Sequence, residues 1–186
     1  MKKIAIFFLF LVGQAAHANV NEQFNYDYYT VNAEPNRTLL SVITEASPIH
    51  ENGHTFHGHT SWYVKWHFHW HQAADGRCRM TKVDTDLTAT IQLPRLINPT
   101  ASQEEQFNRY LDALRTHELG HYENGKEAAN EVDQAILALP EMESCKKLES
   151  AANDLGHSIL KQHNEKDVQY DAETQHGKTQ GARLSN

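Results

Sequence analysis

The sequence predicts an α+β protein: an antiparallel sheet from the N-terminal half packed on a long helix, followed by a second helix and an irregular tail. Three observations predict it. Two runs, 61–71 and 83–93, alternate apolar and polar residues at the period of a half-buried strand. Beyond Pro99 the apolar residues recur instead at helical spacing, and that pattern holds to Pro140. A further helical stripe follows, and after it the apolar residues thin out.

The chain opens MKKIAIFFLFLVGQAAHA, where Lys2 and Lys3 precede a short apolar run that closes on Ala16-His17-Ala18. This is the three-part pattern of a secretory signal peptide, so residues 1–18 are expected to be removed and 19–186 to form a single exported domain, periplasmic or secreted. No later stretch approaches the roughly 20 apolar residues of a membrane span. Without Lys2 and Lys3 the 17 basic residues fall to 15 against 24 acidic ones, a formal charge of about −9 that argues against a nucleic-acid partner. Cys78 and Cys145 are the two cysteines, an even number that usually pairs in an oxidising compartment, with two buried free thiols as the alternative.

Phe24 to Asn32 and Leu39 to Ala46 are short, rich in aromatic or β-branched residues and separated by a turn at Pro35-Asn36, so both are expected as strands. In Ser61 to His71, Trp62, Val64, Trp66, Phe68 and Trp70 share one face and Tyr63, Lys65, His67, His69 and His71 the other. The tryptophans read as core. A turn at Asp75-Gly76 leads to a second run with Val83, Thr85, Leu87, Ala89, Ile91 and Leu93 inward, ended by Pro94, and the two runs read as an antiparallel hairpin. Ser102 with Glu105 gives a capping-box start to a helix that continues through Phe107, Tyr110, Leu114, His117, His121, Val132 and Ile136, with Asn124-Gly125 as its weak point. The second helix is expected from about Met142 to Gln162.

The stretch HELGH, residues 117 to 121, lies inside the best helical segment. Residues i and i+4 are one turn apart on one face, so two imidazoles can converge on one zinc ion. Glu118 sits about 100° round the helix, close enough to act on water at the metal yet angled away from the ion. His117 and His121 are therefore candidate ligands and Glu118 the candidate catalytic base. Zinc suits two imidazoles with a carboxylate beside them. A helix alone cannot supply the third ligand. Glu131 lies about 15 Å of helical rise past His121, and Glu127 about 9 Å and on the wrong face unless the helix breaks at Asn124-Gly125.

The segments GHTSWYVKWHF, CRMTKVDTDLTATIQLP, THELGHYENGKEAANEV and YDAETQHGKTQGA, in this order, resemble a bacterial family called domain of unknown function 922, described as predicted secreted zinc-dependent proteases. The likeness covers nearly the whole mature chain. It implies a small exported zincin-like domain, with strands ahead of the metal helix and a Cys78–Cys145 disulfide. It also draws attention to the tail, where His176-Gly177 allows the backbone to approach a site closely. His176 is the preferred third ligand and Asp171 the runner-up. The alternative is that His176 only ties the tail down.

A second cluster, His50, His54, His57, His59, His67, His69 and His71, reads either as polar residues on a wet surface or as additional metal contacts. One of them facing Glu118 is a further reading. Together these features point to an exported zinc-dependent metallohydrolase, a peptidase in the first instance, acting on a peptide or protein substrate. The rival is a non-catalytic periplasmic metal-binding, histidine-rich protein.

Overall fold

The structure, a computed structural model, describes residues 20–184, so the signal peptide expected at 1–18 lies outside the described residues. It is a mixed α+β arrangement. Strand β1 (Val20–Asn32) is followed by helix α1 (Leu39–Ala46), a small hairpin of β2 (Ile49–Glu51) and β3 (His54–Phe56), the long strands β4 (His59–Gln72) and β5 (Cys78–Ile97), and helices α2 (Ala101–Leu137) and α3 (Cys145–Thr174). A single 3-10 turn, Lys178–Gln180, closes the described chain.

The main sheet has the order β1-β5-β4, with β5 in the centre. β4 and β5 form the expected antiparallel hairpin, running from His59↔Gln92 to Gln72↔Cys78 with a bulge between His69 and Trp70. The sheet as a whole is mixed, which corrects the antiparallel expectation: β1 pairs in parallel with β5, from Val20↔Thr85 to Asn32↔Ile97. β5 also runs on past Pro94. β4 has ended opposite Gln92, so Pro94 is flanked by a strand on one side only, where proline is tolerated.

Leu39–Ala46 is a helix, not a strand. Its apolar residues, Leu39, Val42 and Ile43, are buried at helical spacing, and the Thr38 hydroxyl accepts the Ser41 N–H at the N-terminus. The β-branched run Val42-Ile43-Thr44 suggested a strand, and burial of one helical face against the sheet outweighs that weak preference.

Helix α2 starts two residues earlier than expected, on a capping box between Thr100 and Gln103 rather than Ser102 and Glu105. It then runs unbroken through Asn124-Gly125. Gly125 is required there by packing, because a Cβ would lie 2.6 Å from Cγ of Trp62 on β4. Without a break, Glu127 has no route back to the histidines. Helix α3 extends to Thr174, twelve residues beyond the expected end at Gln162, so the predicted irregular tail begins only at Gln175.

Two apolar clusters hold the layers together. One joins Val31, Val42, Ile43, Leu87, Ile91 and Leu93 to Phe107, Tyr110 and Leu114 of α2. The other joins Met80 and Val83 of β5 to Val132 and Ile136 of α2 and Leu148, Ala152 and Ile159 of α3, beside the Cys78–Cys145 disulfide. The inward residues of β5 are those the alternation predicted, Val83 through Leu93, all buried. Trp62 and Trp66 pack against this core as expected, while Trp70, beyond the bulge near the end of β4, is exposed.

Candidate metal centre

Helix α2 presents His117 and His121 on one face with ring centroids 4.9 Å apart. Helix α3 returns antiparallel to it and brings Asp171 to the same point. Each of these three residues offers one ligand atom, and the three atoms lie within 4.8 Å of one another. Oδ1 of Asp171 is 3.1 Å from Nε2 of His117 and 3.2 Å from Nε2 of His121. Two imidazole nitrogens and a carboxylate oxygen form a donor set that fits a divalent transition metal, zinc among them.

From the sequence, His176 is the first choice of third ligand and Asp171 the second. His176 lies next to the three-residue group, with Nδ1 3.2 Å from the same Oδ1 of Asp171, its ring against Phe56 of β3 and half exposed. The turn that carries it adopts left-handed backbone at Gln175, His176 and Gly177 in succession, a conformation that non-glycine residues rarely adopt. The glycine is needed at the third position, where φ is +78° and a Cβ would lie 3.0 Å from Cβ of His117.

The outer nitrogens of both histidines are also held. Nδ1 of His121 is 2.9 Å from Oδ1 of Asp167, whose Oδ2 accepts the Trp62 indole N–H at 2.7 Å. Nδ1 of His117 is 3.0 Å from Oε1 of Gln180. Tyr170 stacks on the His117 ring, and its hydroxyl donates to the His117 carbonyl while accepting from Nε2 of Gln180. These contacts come from α3 and the turn after it. Burial alone would make His121 harder to protonate, but the hydrogen bonds to Asp167 and Asp171 outweigh it and push its pKa up to about 10. Burial opposes ionisation of Asp171 too, and its bonds to His117 and His121 nevertheless hold it well below the ordinary carboxylate range.

Glu118 is buried, 3 % exposed, between α2 and the start of β4. Gly58 passes directly over it: a Cβ there would come within 2.5 Å of Oε1. Oγ1 of Thr60 is 2.7 Å from Oε2 of Glu118 and 2.9 Å from the Glu118 carbonyl oxygen. The Thr60 hydroxyl is thus the donor within reach of both oxygens, and its single hydrogen serves one of them at a time. Burial raises the Glu118 pKa, against smaller opposing effects of Thr60, His117, His121 and His59.

Of the other histidines, His59 is the one from the N-terminal cluster that acts electrostatically on Glu118. His57 is structural in its contacts, bonded to Tyr110 and Thr44, and burial pushes its pKa down to about 4. His67, His69 and His71 stay exposed on β4, and His69 faces Asp84 at 3.5 Å. No second group of three ligands forms among the described residues.

Sequence reasoning missed Asp167, Tyr170, Thr60 and Gln180. A signal was present for the first two: His163, Asp167, Tyr170, Asp171 and Thr174 recur at helical spacing, a polar stripe in place of an apolar one.

Over residues 26–177 the chain matches the family described as bacterial protein of unknown function (DUF922), and it belongs to that family. Neither the curated proteins nor the solved structures contain a match.

Proposed function

We propose that this member of the family is an exported zinc-dependent metallohydrolase, a peptidase, in which His117, His121 and Asp171 hold the ion and Glu118 is the catalytic base. The observation that carries the reading is the joint placement of three convergent ligand atoms and a buried carboxyl group one residue along the same helix. Zinc bound there would polarise a substrate carbonyl and bring the pKa of a coordinated water towards 7. Glu118 accepts the proton of the attacking water and passes it to the leaving amine. Thr60 and the backbone at Gly58 fix the direction of its carboxyl group. His176, held against Asp171, keeps that carboxylate in place at the half-exposed rim.

A peptide substrate is favoured by the position of β4. It is one of the two edge strands of the sheet among the described residues, and its first residues touch Glu118 through Thr60. An extended peptide can pair with such an edge through main-chain hydrogen bonds. Export rests on the N-terminal signal pattern and accords with the disulfide; no helix among the described residues is long and apolar enough to cross a membrane.

Glu118→Gln tests the assignment. It should leave bound zinc unchanged while cleavage of a mixed peptide library falls by about 10²- to 10⁴-fold. Equal cleavage by the two forms would refute the enzymatic role. A wild-type chain that binds zinc and cleaves nothing in the library would favour the non-catalytic metal-binding protein.

A further inference from the structure

His121 can donate a lone pair to a metal through Nε2 only if its hydrogen is on Nδ1. Two residues decide this. Asp167 presents Oδ1 to Nδ1 of His121 at 2.9 Å and Oδ2 to the Trp62 indole N–H at 2.7 Å. An ionised carboxylate only accepts, and the indole only donates. We propose that Trp62 and Asp167 act together as positioning residues, locking His121 in the tautomer whose Nε2 faces the ion. This rests on the metal-centre reading above.

The pair links three elements: β4 carries Trp62, α2 carries His121 and α3 carries Asp167. Trp62 is itself immobilised, because its ring covers Gly125 one turn beyond His121. Partners of this kind on the far nitrogen of a ligand histidine commonly change metal affinity by about 10- to 100-fold when removed.

What distinguishes this arrangement is that Trp62 dictates the outcome of an amide at 167. Asparagine has one acceptor and one donor end. The indole N–H requires the acceptor, so the amide of Asp167→Asn turns its NH₂ to Nδ1 of His121. Nδ1 must then accept, its hydrogen moves to Nε2, and the metal-facing atom is blocked. Replacing the indole removes the constraint. In the double variant Trp62→Phe/Asp167→Asn, the amide oxygen is free to turn to His121, and the productive tautomer returns.

The test is zinc affinity measured by competition with a chromogenic chelator, with circular dichroism of each zinc-free variant as the fold control. Asp167→Asn should bind zinc about 10- to 100-fold more weakly than wild type. Trp62→Phe alone should change affinity by less than about threefold, since Asp167 still accepts from His121, and the double variant should recover at least about tenfold of the loss. A merely structural role predicts the opposite, with the double variant the weakest of all; that result, or wild-type affinity in Asp167→Asn, overturns the proposal. If Asp167→Asn does not fold, the ¹⁵N shifts of the His121 ring in the zinc-loaded wild type decide: hydrogen on Nδ1 supports the proposal and hydrogen on Nε2 overturns it. Wild-type protein that binds no zinc, or keeps it after His117→Ala, removes the metal reading itself and this inference with it.

Discussion

Helices α2 and α3 pack against each other with two different chemistries at their two ends. Near the Cys78–Cys145 disulfide the contact is apolar: Val132 and Ile136 meet Leu148, Ala152 and Ile159, nearly all fully buried. At the other end the facing residues are His117, His121 and Asn124 on α2 and His163, Asp167, Tyr170, Asp171 and Thr174 on α3. Apolar contacts are tolerant of partner, but buried polar groups must each find one, and none is left unsatisfied among the described residues. Buried His163 shows how strict this is: Asn124 bonds both its ring and its carbonyl, and Glu131 takes the other nitrogen. The apolar, cross-linked end therefore secures the helix pair, while the polar end fixes side-chain directions.

If that division is right, damage at one end should spare the other. The largest effect on stability is expected from the disulfide, whose closure spans 67 residues of sequence and contributes about 4 kcal/mol by the chain-entropy model. Urea unfolding of the zinc-free Cys78→Ser/Cys145→Ser variant should show that loss with zinc affinity of the folded protein unchanged. A parallel fall in affinity would mean that the two ends are not independent.

A smaller effect belongs to the polar end alone. His121 is raised from 6.5 to about 10, so in the zinc-free chain its bonds to Asp167 and Asp171 stabilise the fold fully below pH 6.5, and that contribution is lost as the pH rises through about 10. Metal must displace its proton. Zinc affinity should accordingly climb by about tenfold per pH unit between pH 6 and 8, one proton released per ion, whereas a flat profile would contradict the assignment of His121. The smallest effect returns to the apolar end: Ile136→Val should cost about 1 kcal/mol in urea unfolding and leave the pH profile of metal binding where it was.

The same contrast explains what could be read from the sequence. HELGH was legible because its geometry is local to one helix, and the β4-β5 hairpin because strict alternation and a short turn specify antiparallel pairing. β1 gave no comparable clue, since a parallel partner is reached across a long connection with no local signature. Asp171 stood only second among third ligands because its place depends on where α3 returns, fifty residues after His121. That return was hidden by the stripe on α3 beyond Gln162 being polar.

The account turns on one ion held by His117, His121 and Asp171. Its most direct test is the zinc content of the purified chain beside that of Asp171→Ala, after identical loading and gel filtration. One ion per wild-type chain, with the variant's content greatly reduced and its circular dichroism unchanged, is the predicted result. Equal zinc in both proteins, or none in the wild type, would contradict it.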